Sequence, residues 1–216
     1  MIAVVIPAKD EAARIASTVT AARTIGDVVV VDDGSRDDTA DVARAAGATV
    51  VRHPRNRGKA AAMTTGAAAV PDAELLLFLD ADLRETAAAA AALVVHVEAG
   101  DADCAIANLP RTPGAGGHGF VVRLARDGIR RATGWAPDQP LSGQRCLTRK
   151  AFEAALPLAY GFGVETAMTI DLLRAGFRVV EVPVPIAHRV TGTGWRDQVH
   201  RARQYAHVLR ALARRR

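Results

Sequence analysis

The sequence predicts an α/β fold in which a mostly parallel sheet carries helices on both faces. Strand and helix patterns alternate through residues 1–108, the order that builds such a sheet. The strand segments are continuous apolar runs, as strands covered on both faces require. Acidic, basic and glycine residues collect just after each run, where an open parallel sheet places its ligands.

Ile2 to Ile6 is the first strand, and Pro7 is expected to stop it. Asp10 is placed to cap a helix from about Glu11 to Thr24, with Ile15 and Val19 spaced for an inward face. Val28 to Val31 is the second strand, and Asp37 or Asp38 caps a helix that ends at Gly47. Thr49 to Arg52 is a third strand, and Gly58 to Ala69 reads as helix from its Ala content. Leu75 to Leu79 is a fourth strand, Glu85 to Glu98 an Ala-rich helix, and Ala102 to Ala107 a fifth strand.

The second half is less regular. Residues 109–118, rich in Gly and Pro, read as a mobile lid-like loop. Phe120 to Ala132 is a basic helix, and Gly134 to Gly143 another loop. Lys150 to Leu156 and Val164 to Ala175 are helical, Phe177 to Val182 is a strand, and a basic helix runs from Trp195 to Arg216. No internal repeat or linker interrupts the chain, so residues 1–216 are expected to form one domain. Residues 1–108 form its first binding half, and 109–216 complete the site.

Composition excludes some classes and leaves others open. Half of the 216 residues are hydrophobic, so a disordered chain is excluded. The apolar runs are strand-length and too short to span a bilayer. The N-terminus lacks a basic region and a cleavage site, so a cytoplasmic location is expected. Cys104 and Cys146 stand alone and read as two buried, reduced thiols. A net charge of +5 leaves nucleic acid, anionic membrane and phosphorylated substrates open.

Chemistry gathers at the strand ends. Asp80-Ala81-Asp82 follows the fourth strand, and its two carboxylates project to one side of an extended segment. Carboxylates that close repel, and a divalent cation resolves the repulsion. The alternative is a pair of solvated turn aspartates. Asp32-Asp33-Gly34-Ser35 follows the second strand, where an acid accepts from a nucleobase or ribose, or merely builds a turn. The first strand leads into Pro7-Ala8-Lys9-Asp10-Glu11, not the glycine pattern of a dinucleotide or P-loop site.

Taken together, Val5-Ile6-Pro7-Ala8-Lys9-Asp10-Glu11, then Val31-Asp32-Asp33-Gly34-Ser35-Arg36-Asp37-Asp38-Thr39, then Gly58-Lys59, then Asp80-Ala81-Asp82 resemble the GT-A fold glycosyltransferases of glycosyltransferase family 2. In the second half, Gln139-Pro140-Leu141-Ser142-Gly143-Gln144-Arg145, Tyr160-Gly161-Phe162-Gly163-Val164-Glu165 and His188-Arg189 are similar to the glucosyl-3-phosphoglycerate and mannosyl-3-phosphoglycerate synthases. Those enzymes carry Gly-Glu where this chain has Gly143-Gln144.

The resemblance implies a metal-dependent hexosyltransferase that moves a sugar from a nucleoside diphosphate sugar to an acceptor hydroxyl. By the same resemblance, Pro7, Ala8, Glu11, Asp33, Lys59, Asp80 and Ala81 bind the donor. Asp82 and His188 coordinate Mg²⁺ or Mn²⁺, and Glu165 is the base or acceptor contact. Gly143, Gln144 and Arg145 hold the acceptor, with Arg123, Arg126, Arg130 and Arg131 as further phosphate-binding candidates. The implied partners are the donor and a small or lipid-linked acceptor, without nucleic acid. The basic C-terminal helix suits peripheral contact with the inner membrane face, and a homodimer is open. The competing reading is a peripheral membrane or nucleotide-sugar-binding protein without turnover.

Overall fold

The computed structural model describes residues 1–110, 119–186 and 195–215, with only the backbone for 195–201. Along the chain come β1 (Ile2–Ala8), α1 (Ile15–Ala22), β2 (Asp27–Asp32), α2 (Thr39–Ala45), β3 (Thr49–Arg52), α3 (Lys59–Ala68) and β4 (Leu75–Phe78). A 3₁₀ segment (Arg84–Ala90) leads into α4 (Ala91–Glu98), followed by β5 (Cys104–Asn108), α5 (Gly119–Thr133), β6 (Arg145–Thr148) and α6 (Arg149–Ala154). A short 3₁₀ turn (Gly161–Gly163) opens α7 (Val164–Arg174), and β7 (Val179–Pro183) and α8 (Trp195–Ala213) complete the order.

The strands form one sheet in the order β3-β2-β1-β4-β6-β5-β7. All neighbours pair in parallel except β6, which runs antiparallel to both β4 and β5. The mostly parallel α/β sheet read from the sequence is therefore the observed one. Alternate strand residues feed opposite faces, as the period of two requires. Val4, Ile6, Val28, Val30, Leu77 and Cys146 pack with Ile15 and Val19 of α1 and Leu93 of α4. Ala3, Val5, Leu76, Phe78, Cys104 and Leu147 pack on the other face with Met63 of α3, Phe152 of α6 and Met168 of α7.

Several boundaries differ from the sequence expectation. Pro7 does not stop β1, which pairs through Pro7↔Val31 to Ala8↔Asp32. Asp10 does not cap α1, which starts only at Ile15 behind Arg14. Instead Asp10 takes a left-handed backbone (φ 56°), receives the Arg36 N–H at 2.8 Å and ties the β1 turn to the β2 turn. The Lys9 ammonium and that N–H hold its carboxyl below the usual carboxylate range.

Asp38 occupies the N-cap of α2 without a side-chain bond, while Asp37 accepts from Thr39 N–H at 3.1 Å. The first half of the expected Glu85–Glu98 helix is 3₁₀. The strand β6 was not anticipated, because Cys146-Leu147 is too short an apolar run to announce itself.

Candidate active site

The carboxyl ends of β1, β2 and β4 meet the start of antiparallel β6 along one edge of the sheet. The side formed by β2 and α3 is built first. Asp33 follows β2 and is 5% exposed. Its carboxylate accepts the backbone N–H groups of Arg57 and Gly58, each at 2.8 Å, and lies 2.7 Å from His53 Nδ1. A carboxylate only accepts, so that ring nitrogen carries the hydrogen, and Nε2 faces the Thr65 hydroxyl at 3.0 Å.

Asp33 thus folds the 53–58 loop and supplies an anion at the N-terminus of α3. Gly58 is the residue in the N-cap place, and it offers no side chain of its own. Asp33, expected to contact a base, also carries this structural work. His53, which closes the arrangement, had no role assigned from sequence. Its place after β3 was legible, but its partner lies on another strand.

Lys59, the first residue of α3, reaches into the middle of the edge. Its Nζ lies 2.8 Å from Asp80 Oδ1 and 2.9 Å from Glu165 Oε1. Burial alone would lower the pKa of this ammonium, but the two carboxylates outweigh it and hold the pKa above the ordinary lysine value. Gln144 donates through Nε2 to Asp80 Oδ2 at 2.7 Å, and its Oε1 accepts from Ser142 at 3.2 Å. Gly143 lies against the pair: a Cβ there would collide with Lys59 Nζ and sit 3.0 Å from both Asp80 oxygens.

Four residues from distant parts of the chain, Lys59, Asp80, Gln144 and Glu165, therefore form one connected network. Asp82 stands apart from it. It is half-buried and makes no hydrogen bond or ion pair among the described residues. Ala81, between the two acids, is buried, and its carbonyl accepts from Thr18 at 3.0 Å. Near the start of this edge, Ala8 is buried and Pro7 half-buried, while Glu11 pairs with Arg14 at 2.8 Å.

The side formed by β6 and α7, expected to hold an acceptor, differs most from expectation. Arg145 is 1% exposed and points into the protein. It donates to the carbonyls of Ser142 (2.8 Å), Glu165 (3.1 Å) and Pro140 (3.4 Å) and to Thr169 Oγ1 (2.8 Å). Its guanidinium is used up inside and does not face an acceptor.

Arg126 is likewise spent, donating to the carbonyls of Pro137 and Asp138. Arg123 stacks over Phe120 on its own helix, and Arg130 pairs with Asp127. From the other side Glu181 accepts the N–H groups of Asp138 (2.6 Å) and Gln139 (2.5 Å). The loop before β6 is thus clamped by Arg126, Glu181 and Arg145. His188 and most of the 109–118 loop lie outside the described residues.

Metal ligation would draw on few side chains here. Among the described residues, no three His, Cys, Asp or Glu side chains converge as a complete cage. The Asp82 carboxylate, without a partner among the described residues, instead suits a hard cation that takes one or two carboxylates and fills its shell from phosphates and water.

A scan against known families matches residues 3–154 to the model for "Glycosyl transferase family 2". The chain belongs to glycosyltransferase family 2. Two curated proteins are similar to it along most of its length. Glycosyltransferase AglJ of Haloferax volcanii is 30% identical over 203 residues, covering 89% of this chain and 65% of the relative. Glucosyl-3-phosphoglycerate synthase of Mycolicibacterium paratuberculosis is 31% identical over 198 residues, covering 79% of this chain and 59% of the relative. The family 2 chain thus spans less than two thirds of either relative's length.

Among solved structures, glucosyl-3-phosphoglycerate synthase from Mycobacterium tuberculosis with Mg²⁺ and UDP superimposes with a TM-score of 0.82. It is 28% identical, over 99% of this chain and 79% of that one. The same enzyme with Mn²⁺, UDP and glucosyl-3-phosphoglycerate gives 0.79 at 28% identity, over 99% of this chain and 80% of that one.

Proposed function

We propose that this family 2 chain is a divalent-metal-dependent glycosyltransferase that moves a sugar from a nucleoside diphosphate sugar to a hydroxyl of a small phosphorylated acceptor. The observation that carries the proposal is the division of labour between Asp80 and Asp82. Asp80 is held by Lys59 and Gln144, while Asp82 presents a half-buried carboxylate with no partner among the described residues. Relatives solved with Mg²⁺ or Mn²⁺ and UDP support the donor class, and one solved with glucosyl-3-phosphoglycerate supports the acceptor class.

In this reading residues 1–108 form the donor side and 109–216 the acceptor side. Pro7, Ala8, Glu11, Lys59, Asp80 and Ala81 line the donor site, and Asp82 holds Mg²⁺ or Mn²⁺ with His188 as a further ligand. When bound, the cation neutralises charge that builds on the leaving diphosphate. Lys59 offers its ammonium to a diphosphate oxygen.

The acceptor oxygen bonds the anomeric carbon as the bond from that carbon to the diphosphate breaks. Glu165 Oε1 is taken by Lys59. Its Oε2 is left for the acceptor hydroxyl proton, near the N-terminus of α7 where the helix dipole steadies an anion. Gly143 and Gln144 shape the acceptor wall.

No helix among the described residues is long and apolar enough to cross a membrane. We place the protein in the cytoplasm. Tyr205 and Leu209, both exposed on α8 beside Arg203 and Arg210, are the points of any contact with anionic lipid.

The test is thermal unfolding with Mn²⁺ and a panel of nucleotide sugars, followed by nucleoside diphosphate release with 3-phosphoglycerate. A matching donor at 100 times its Kd stabilises by about 2.7 kcal/mol. Asp82→Ala removes both the shift and the release. Full turnover of that variant in EDTA ends the metal-dependent reading.

A further inference from the structure

Arg145 opens β6 from inside the protein, and its burial is costly. Removing a guanidinium from water costs several kcal/mol even after relaxation. Its hydrogen bonds go to carbonyls and a hydroxyl, and among the described residues none is a direct ion pair, so carboxylates offset that cost only from a distance. Burial pulls its pKa below the ordinary arginine value, while the charges of Glu165 on α7 and Glu181 on β7 work the other way. An apolar side chain of similar length would fill the space without this penalty.

What the guanidinium adds is directional. Its donors fan out in a rigid plane. Nε and Nη2 take the carbonyls of Ser142 and Pro140 on the loop that ends in Gly143 and Gln144. Nη1 takes the carbonyl of Glu165 and the hydroxyl of Thr169 on α7, and that hydroxyl also donates to the Glu165 carbonyl at 2.9 Å. The two anchored segments carry the two side chains that converge on the Lys59–Asp80 pair from opposite walls: Gln144 on Asp80 and Glu165 on Lys59.

We infer that Arg145 is a positioning residue: one buried fork that fixes the Pro140–Gln144 wall against the Glu165 wall, so that both faces of the acceptor side hold a single spacing. The inference rests on the proposed transfer reaction for its kinetic readout only. A glycosyl transfer is sensitive to this spacing, because a misplacement of about 1 Å costs on the order of 100-fold in rate.

The experiment compares the full chain with Arg145→Met and Arg145→Lys. Amide hydrogen exchange, read without ligand, should quicken by at least about tenfold in peptides covering 139–144 and 163–169 of the Met variant. The amides of β1 and β2 should stay at wild-type rates, and the Lys variant, which keeps charge but not the fork, should fall between. With UDP-glucose, Mn²⁺ and 3-phosphoglycerate as probes, kcat for UDP release should fall about 10- to 100-fold. The Kd for UDP–Mn²⁺ should rise by a smaller factor than kcat falls, since Arg145 reaches Lys59 and Asp80 only through Glu165 and Gln144.

Exchange that rises throughout the sheet, or in neither wall, overturns the inference. So does an unchanged kcat once both walls have loosened. If Arg145→Met does not fold, the Lys variant decides by the same two criteria. Absence of UDP release in the wild type, with all probes present, counts against the proposed transfer, and the exchange pattern then decides the positioning role alone.

Discussion

Gly143 is where single-atom geometry bears most directly on the site. Its backbone does not need the left-handed region, so alanine is conformationally tolerated there. The space is what forbids it, since the new methyl meets the end of Lys59 and both Asp80 oxygens. An ammonium on a flexible stem can swing aside, so the cost falls on the ion pair more than on the fold. Gly143→Ala should therefore keep a near-wild-type melting temperature. Loss of one charge-assisted bond of about 1.5–3 kcal/mol should weaken UDP–Mn²⁺ binding by roughly 10-fold or more in a calorimetric titration. Unchanged affinity would mean that Lys59 does not serve the donor from this position.

At the scale of elements, the critical device is the loop that delivers α3. Asp33 on β2 satisfies two N–H groups at the start of that helix and the ring of His53, all from within the protein. Asp33→Ala leaves those buried donors without an acceptor, which should cost about 2–4 kcal/mol in urea unfolding. Asp33→Asn keeps one acceptor oxygen and should lose less. Equal stability of all three proteins would show that water replaces the carboxylate.

This element also marks where the sequence stopped being legible. The apolar runs of β1 to β5 and the Ala-rich helices announced the parallel half, because each signal is local and periodic. The acids after β2 and β4 could be listed as site residues for the same reason. Their partners could not. Asp33 meets residues of the 53–58 loop, and Lys59 meets Asp80 and Glu165 only once the sheet is assembled. Arg145 read as an acceptor contact because its motif resembles that of the phosphoglycerate enzymes and an Arg fork matches phosphate. In the fold it begins a central antiparallel strand between β4 and β5 and is enclosed.

For the whole molecule, the sheet has a chemically divided character. One edge carries ionised groups in close contact, while the two core layers are apolar and Arg145 is enclosed at the start of β6. Cys104 and Cys146 lie in adjacent strands but in opposite core layers, so they are placed as separate thiols and do not face each other. Burial raises the Cys104 thiol from 9.0 to about 11, slightly offset by Arg145, and pushes Cys146 up as well.

The sign of the consequence follows from proton counting. Below pH 9 both the folded and unfolded states keep the Cys104 proton, and its contribution to stability is fully present. Between pH 9 and about 11 the unfolded chain releases that proton while the folded protein retains it, so stability falls as pH rises. The loss attached to this thiol is on the order of 1–3 kcal/mol. Urea unfolding at several values from pH 8 to 11 should show a steeper decline for the wild type than for Cys104→Ala. The variant starts lower because of the cavity it leaves, but lacks this source of slope. Parallel curves for the two proteins would locate the alkaline sensitivity elsewhere, first in the Cys146 thiol, whose contribution also starts to be lost above pH 9. The Lys59 pKa is also raised, but from a higher starting value, so its contribution is lost only at still higher pH.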